Sequence, residues 1–419
     1  MTIEEADRIS GWSEEAICLP SDHVSLCSAC IFERFNDGIA KGSPAIMLDD
    51  QARNDLLLFA QPERIIATDS LSHIDSALED ARLQADAGKF VVGYISYGAS
   101  PAFDTFHLHA GTSQAVATTA AKLWLGVFNR CYRGAIRARP VTTARLLLTP
   151  AIGRQAYEAA VQSVLERIEA GEIYQANLTF PTTFSLADPL DNYLSLRQRA
   201  AAPFGAIMWN GQTCLQSFSP ELFFSLNDRQ LKARPMKGTR PRSSDHSLDQ
   251  TMRENLRVSE KDRAENLMIL DLLRNDLSKV SVAGSVKCPQ IFTVERYPSV
   301  WQLTSTVTSQ LLSGVSGVDV LRRLFPSGSV VGAPKIQASK VIAETEQHAR
   351  GIYTGSFLLM SKRSTVANVA IRTMDLHQSN CEWSGRLDIG AGIVADSNPA
   401  AEWEECKAKA RFAGELVSD

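Results

Sequence analysis

Residues 155–180 read QAYEAAVQSVLERIEAGEIYQANLTF, and the expectation for the fold starts there. Tyr157, Val161, Val164, Leu165 and Ile168 recur at helical spacing, and Gly171 ends the run. Residues 173–180 then alternate as a strand does. Moving outward, residues 214–218 and 222–226 read as two strands interrupted by Ser219-Pro220-Glu221, where proline cannot donate to a ladder. Ser259 stands as an N-cap, with acidic Asp262 three residues on, for a helix through Ala264, Leu267, Met268 and Leu272. Residues 369–374 and 387–394 read as further strands. A helix is expected from Pro399 to about 416, because 400–413 is free of glycine and proline. Strands and helices mix without a strict βαβ rhythm, which favours a sheet with segregated helices over a doubly wound fold. Upstream of 151 the apolar runs (56–59, 90–95 and 123–128) are more loosely spaced.

The 419 residues are 44% hydrophobic and 21% charged, which excludes a disordered, collagen-like or coiled-coil chain. That length allows two or three domains or one large α/β unit. No apolar run approaches the ~20 residues of a membrane span. The opening MTIEEADRIS is acidic and polar, unlike a secretory signal. With a net charge of −4 the chain is a poor nucleic-acid binder. An anionic ligand must therefore be held by a few local cations and amides. Eight cysteines without framework spacing fit reduced thiols, so a cytoplasmic location is expected.

Two acidic pairs carry possible chemistry. Asp262 and Glu265 lie three apart on one expected helix, and Glu402 and Glu405 lie three apart on another with Lys409 one turn on. Carboxylates without a histidine or cysteine cluster suit a hard cation such as Mg2+, completed by substrate and water. An isolated pair at this spacing is ordinarily a solvated helix face, so spacing alone decides nothing. Residues 326–335, PSGSVVGAPK, fail the phosphate-loop pattern, since no Ser or Thr follows Lys335. Gly390-Ala391-Gly392 either forms a tight turn or presents amides to an anion as a nest. The run RPMKGTRPR at 234–242 is by default a surface loop. A lysine beside three guanidinium groups is nonetheless a candidate for a lowered pKa and a nucleophilic amine. Cys27 and Cys30 have C-x-x-C spacing but no second pair, which argues against zinc.

Nine segments in order then carry a resemblance: EIYQANLT (172–179), FSPELFF (218–224), PMKGTRPR (235–242), KDRAENLMILDLLRNDL (261–277), FPSGSVVGAPK (325–335), RGIYTGSF (350–357), AIRT (370–373), GAGIVADS (390–397) and E-x-x-E-x-x-x-K (402–409). From about 153 to 413 the chain resembles the chorismate-utilising enzymes, which include anthranilate synthase component I, aminodeoxychorismate synthase component I, isochorismate synthase and salicylate synthase. The implied fold is α/β (α+β), with two packed antiparallel sheets, outer helices and an active site in the cleft between the sheets. Residues 1–150 would be its weakly matched N-terminal part and 151–419 the catalytic region.

The resemblance also implies roles. Glu265 and Glu405 would hold Mg2+, with Asp262 and Glu402 at the supporting acidic positions. Arg372, Lys409, the Tyr353 hydroxyl and the Gly392 amide would hold substrate carboxylates, with Ser329, Gln175 and Gln302 as further substrate-binding candidates. Glu221 falls where the family keeps the general acid for the departing C4 hydroxyl, so a pKa raised by burial is expected. Isochorismate- and salicylate-forming relatives carry a water-activating lysine where this chain has Gln175. Anthranilate synthases carry a small residue at the place of Lys237, whereas aminodeoxychorismate synthases carry a lysine that adds to C2 of chorismate.

The implied activity is therefore that of aminodeoxychorismate synthase component I. Chorismate and ammonia would give 4-amino-4-deoxychorismate, a precursor of 4-aminobenzoate in folate biosynthesis. Gln302 stands where the family usually has histidine, which fits retention of the pyruvyl group. No glutaminase module is evident, so a separate glutamine amidotransferase subunit or free ammonium is the expected ammonia source; the lyase for the next step is not expected in this chain either. Anthranilate synthase component I and a non-catalytic chorismate-binding subunit are the alternatives.

Overall fold

Alternation along the strands builds the layers. Along Ala45–Asp50, Ala45 and Met47 enter one core while Ile46 and Leu48 enter another. Leu56 and Leu58 separate from Leu57 and Phe59 in the same way along Asp55–Ala60. The computed structural model describes residues 11–12, 24–25, 28–51, 53–103, 121–136, 145–297, 300–380 and 382–417.

Two sheets form, of 12 and 10 strands. The larger runs through Asp55–Ala60, Ala45–Asp50, Phe204–Trp209, Thr213–Ser219, Thr373–Ser379, Glu382–Val394 and Gln175–Leu186, each antiparallel to its neighbour. The smaller runs through Met236–Pro241, Val300–Gln310, Gln230–Arg234, Leu222–Asn227, Ser364–Asn368, Ser356–Met360, Phe90–Ile95, Leu123–Phe128 and Arg64–Thr68, again antiparallel. Strands from both halves of the chain interleave in each sheet, so neither half closes a sheet alone.

Phe204, Met208 and Leu215 of the larger sheet meet Val92, Tyr94, Phe357 and Leu359 of the smaller in one buried layer. The outer face of the larger sheet packs under the helices Arg154–Glu169 and Pro399–Ala410 through Tyr157, Val161, Trp403 and Cys406. The outer face of the smaller sheet packs under Leu71–Asp86 and Glu260–Ser278 through Ile74, Leu78, Ile269 and Leu273. Each such side chain contributes about 1.5–3 kcal/mol by leaving water. The result is helices, sheet, sheet, helices. Among the described residues no helix is long and apolar enough to cross a membrane.

Four local expectations change. The strand expected at 369–374 begins only at Thr373, because Arg372 takes the left-handed conformation (φ 51°) and the preceding residues turn. The last helix is Pro399–Ala410; the chain then forms a short strand, Gly414–Leu416, parallel to Leu146–Pro150. Residues 236–241 are a strand, and residues 390–392 lie inside the strand Glu382–Val394, opposite Thr179, Leu178 and Asn177, so they make neither a turn nor a nest. Cys131, Cys214, Cys288 and Cys406 are free thiols. The side chains of Cys27 and Cys30 lie outside the described residues.

Candidate active site

Glu221 sits at the corner where the chain passes from the larger sheet to the smaller. The preceding strand ends at Ser219, whose hydroxyl accepts the Glu221 amide at 3.2 Å and donates to the Val369 carbonyl at 2.6 Å. Pro220 ends the ladder and Leu222 starts the next strand. The side chain is 4% exposed, and Ser329 Oγ donates to Oε1 at 2.7 Å. Burial pushes this carboxyl up to about 7, against the opposing pull of Ser329, Lys237 and Arg234.

Lys237 lies on the edge strand Met236–Pro241 and points toward the larger sheet. A Cβ built on Gly392 would stand 3.3 Å from Lys237 Nζ and 2.5 Å from Gln175 Nε2, so the bare glycine leaves room for both side chains. Desolvation inside the cleft lowers the lysine pKa; Lys409 adds to that, while Glu265, Glu221 and Glu405 oppose it. The neighbouring guanidinium groups are not the cause, since Arg234, Arg240 and Arg242 pair with Glu295, Asp262 and Asp249. Gly238 takes φ +86°, and a Cβ there would meet Asp262 at 2.9 Å, so glycine lets the Glu260–Ser278 helix close on the strand.

Ser259 caps that helix, accepting the Asp262 amide at 3.3 Å. Glu265 projects from the helix toward Lys237 and Glu405; burial raises its carboxyl, with the two lysines Lys237 and Lys261 opposing and Asp262 and Glu405 adding. Asp262 itself is turned to Arg240 at 2.6 Å. On the Pro399–Ala410 helix, fixed by Trp403 stacked 5.2 Å from Phe180, Glu405 pairs with Lys409 at 2.6 Å and is held below its ordinary value by it. Lys409 also donates to the Gly390 carbonyl at 2.9 Å. Glu402 is buried and accepts from Ser397 at 2.6 Å; burial raises its pKa. Helix and strand thus bring Glu265, Glu405, Lys237 and Lys409 to one electrostatic cluster, while Asp262 and Glu402 are engaged beside it. Among the described residues no three acidic, histidine or cysteine side chains form a protein-only metal cage.

Gln175 is fully buried, and among the described residues neither amide atom has a partner; the Asn177 Nδ2, two residues along the same strand face, is likewise unpartnered among them. Unsatisfied buried amides cost ~1–3 kcal/mol each and mark a place built to meet something else. Gln302 does not reach this row, because both ends of its carboxamide bond to the strand carrying Lys237. Tyr353 is buried; desolvation raises its pKa despite nearby Arg350. Arg372 has its pKa lowered by desolvation and lies against Phe412, 5.8 Å from the ring.

A family model described as "chorismate binding enzyme" matches residues 43–414. The chain belongs to that family. The chain is 40% identical over 255 residues to aminodeoxychorismate synthase component 1 of Escherichia coli (60% of this chain, 55% of that protein). It is 37% identical over 263 residues to anthranilate synthase component 1 of Methanothermobacter marburgensis (62% and 56%). The matched stretch therefore spans a little over half the length of these relatives. Among solved structures, anthranilate synthase component I from Streptococcus pneumoniae superposes with TM-score 0.74 at 22% identity, covering 85% of this chain and 91% of that one. A putative isochorismate synthase from Bacillus anthracis does so with TM-score 0.71 at 20% identity (92% and 98%). These place the fold: two antiparallel-rich sheets with outer helices.

Sequence reasoning missed one part of the site's frame. Arg350 is 3% exposed and donates to Glu346 at 2.7 and 2.9 Å, to the Asn177 carbonyl at 2.6 Å and to the Val330 carbonyl at 3.0 Å. Glu346 in turn accepts from the Thr179 amide and hydroxyl at 2.8 Å. The pair ties the strand bearing Gln175 to the turn bearing Ser329. Its only trace in the sequence is the arginine that opens RGIYTGSF.

Proposed function

We propose that the enzyme acts as aminodeoxychorismate synthase component I, converting chorismate and ammonia to 4-amino-4-deoxychorismate. The observation that carries this reading is Lys237. Its amine lies beside Gly392 and Gln175 in the cleft and is pushed toward the neutral, nucleophilic form. The 40% identity to a relative of that name supports the same choice.

In this reading the Lys237 nitrogen bonds to C2 of chorismate while the C4–oxygen bond breaks, and the Glu221 proton leaves with the hydroxyl as water. Ammonia then bonds to C4, the C2–nitrogen bond breaks, and the lysine amine is restored. The ionised Glu221 takes up the surplus proton of the new amino group. Lys409, Arg372, Tyr353 and the Gly392 amide are the groups that hold the substrate carboxylates, and Gln175 offers its open carboxamide to the nucleophile or the ring substituents. Glu265 and Glu405 suit Mg2+, which accepts one or two protein carboxylates and takes the rest of its oxygens from substrate and water. When bound, the ion supplies positive charge to a substrate carboxylate. A glutamine amidotransferase partner is the proposed source of ammonia.

Incubation with chorismate, Mg2+ and ammonium, read by liquid chromatography and mass spectrometry with a parallel pyruvate assay, tests the proposal. A product that keeps the pyruvyl group and becomes 4-aminobenzoate on adding a lyase is expected. Anthranilate with stoichiometric pyruvate would overturn it.

A further inference from the structure

The hydroxyl that holds Glu221 is itself held. Ser327 Oγ lies 2.9 Å from Ser329 Oγ, which lies 2.7 Å from Glu221 Oε1. All three residues are buried, at 6%, 5% and 4% exposure. Ser327 makes no other side-chain hydrogen bond among the described residues, and its hydroxyl does not cap the short Gly328–Val330 turn that follows it. A serine hydroxyl has one proton to give and two lone pairs to accept with. Once Ser329 spends its proton on Glu221, the hydroxyl next to its lone pairs is that of Ser327.

We infer that Ser327 is a positioning residue for Glu221: by donating to Ser329 it commits the Ser329 proton to Oε1 and leaves Oε2 as the oxygen that carries the acid proton toward the substrate. The inference rests on the reading of Glu221 as the proton donor. After that proton leaves, both carboxylate oxygens accept, and the two serines keep the same directions, so no rearrangement accompanies the transfer. The charged groups facing Glu221 are Lys237 and Arg234, from consecutive strands of the smaller sheet. The Ser329 hydroxyl gives the carboxyl a directional contact. Donation to a carboxyl favours its charged form, so weakening the chain raises the pH at which Glu221 titrates.

The test is an infrared titration of the protein, following the carboxylic-acid stretch that disappears in Glu221→Gln. Ser329→Ala should raise the Glu221 midpoint by ~0.5–1 unit, the size of one lost neutral donor. Ser327→Ala should move it in the same direction by a smaller, measurable amount, and Ser327→Thr should restore it. The alkaline limb of the rate profile should move with the midpoint, which a loss of packing alone would not produce. A wild-type midpoint in Ser327→Ala alongside a shifted one in Ser329→Ala would overturn the inference, as would no shift in either. Were Ser327→Ala insoluble, Ser327→Cys, a weaker donor of similar shape, should give an intermediate midpoint. Because the titration is read without turnover, it stands even if the aminating reaction proves wrong.

Discussion

Gln302 clamps the residue that follows Lys237: its Nε2 donates to the Gly238 carbonyl at 2.8 Å, and its Oε1 accepts from Thr239 Oγ1 at 2.8 Å. The two strands are in register here, Thr239 opposite Gln302, with an irregularity between Met236 and Thr239 that turns Lys237 out of the regular ladder. A side chain named as a substrate-binding candidate thus holds the strand that carries Lys237.

Gln302→Leu removes both bonds at a cost of about 1 kcal/mol each. Turnover should fall roughly 5–30-fold, the factor for 1–2 kcal/mol, with KM for chorismate little changed. Steady-state kinetics with ammonium as nitrogen donor checks this; a raised KM at unchanged kcat would instead mean that Gln302 binds substrate directly.

Lys237→Ala should sharply reduce turnover while chorismate binding, followed by calorimetry, persists. On the proposed covalent route only the neutral amine can attack, so activity should rise with pH through the lowered Lys237 pKa. Mass spectrometry of the enzyme quenched without ammonium should find chorismate, less water, attached at Lys237. Full activity in the variant would remove the covalent step.

Glu221 gives a stability prediction with a definite sign. Its carboxyl titrates near 7 in the fold against 4.5 when free, so the folded state holds a proton between those values that the unfolded state has lost. That contribution is fully present below about 4.5 and disappears as pH rises through about 7. Glu221→Gln, which never ionises, should therefore be more stable than wild type at pH 8, by an amount on the order of 2–3 kcal/mol, and no more stable near pH 4.5. Melting temperatures across that range decide it. The same variant should lose about 10²–10⁴-fold in rate, the usual worth of a general acid.

Arg350→Met leaves Glu346 buried without its cation, and breaking a buried pair from one side costs about 3–5 kcal/mol. Arg350→Met combined with Glu346→Gln should recover a large part of that loss in denaturant unfolding. If the single and double variants are equally unstable, the arginine's bonds to the Asn177 and Val330 carbonyls, not the ion pair, hold this corner.

Local signals carried much of this protein. The period of 155–180, the Ser259 cap and the runs at 214–218 and 222–226 determined helices and strands, because they depend only on neighbours in the chain. The motifs from 172 to 409 determined the family and named Glu221, Lys237, Glu265 and Glu405 as a set. The tertiary structure decided what those residues feel. Lys237 was legible as a lysine among arginines, yet its lowered pKa comes from desolvation and Lys409, 172 positions away in the chain. Gln302 was legible as a missing histidine, yet strand register turned it to Gly238. Ser327 and Arg350 carried no signal beyond their places in FPSGSVVGAPK and RGIYTGSF, since a hydroxyl chain and a buried ion pair exist only once distant segments meet. Periodicity is written in the order of residues; desolvation, register and hydrogen-bond direction depend on distances that folding alone creates.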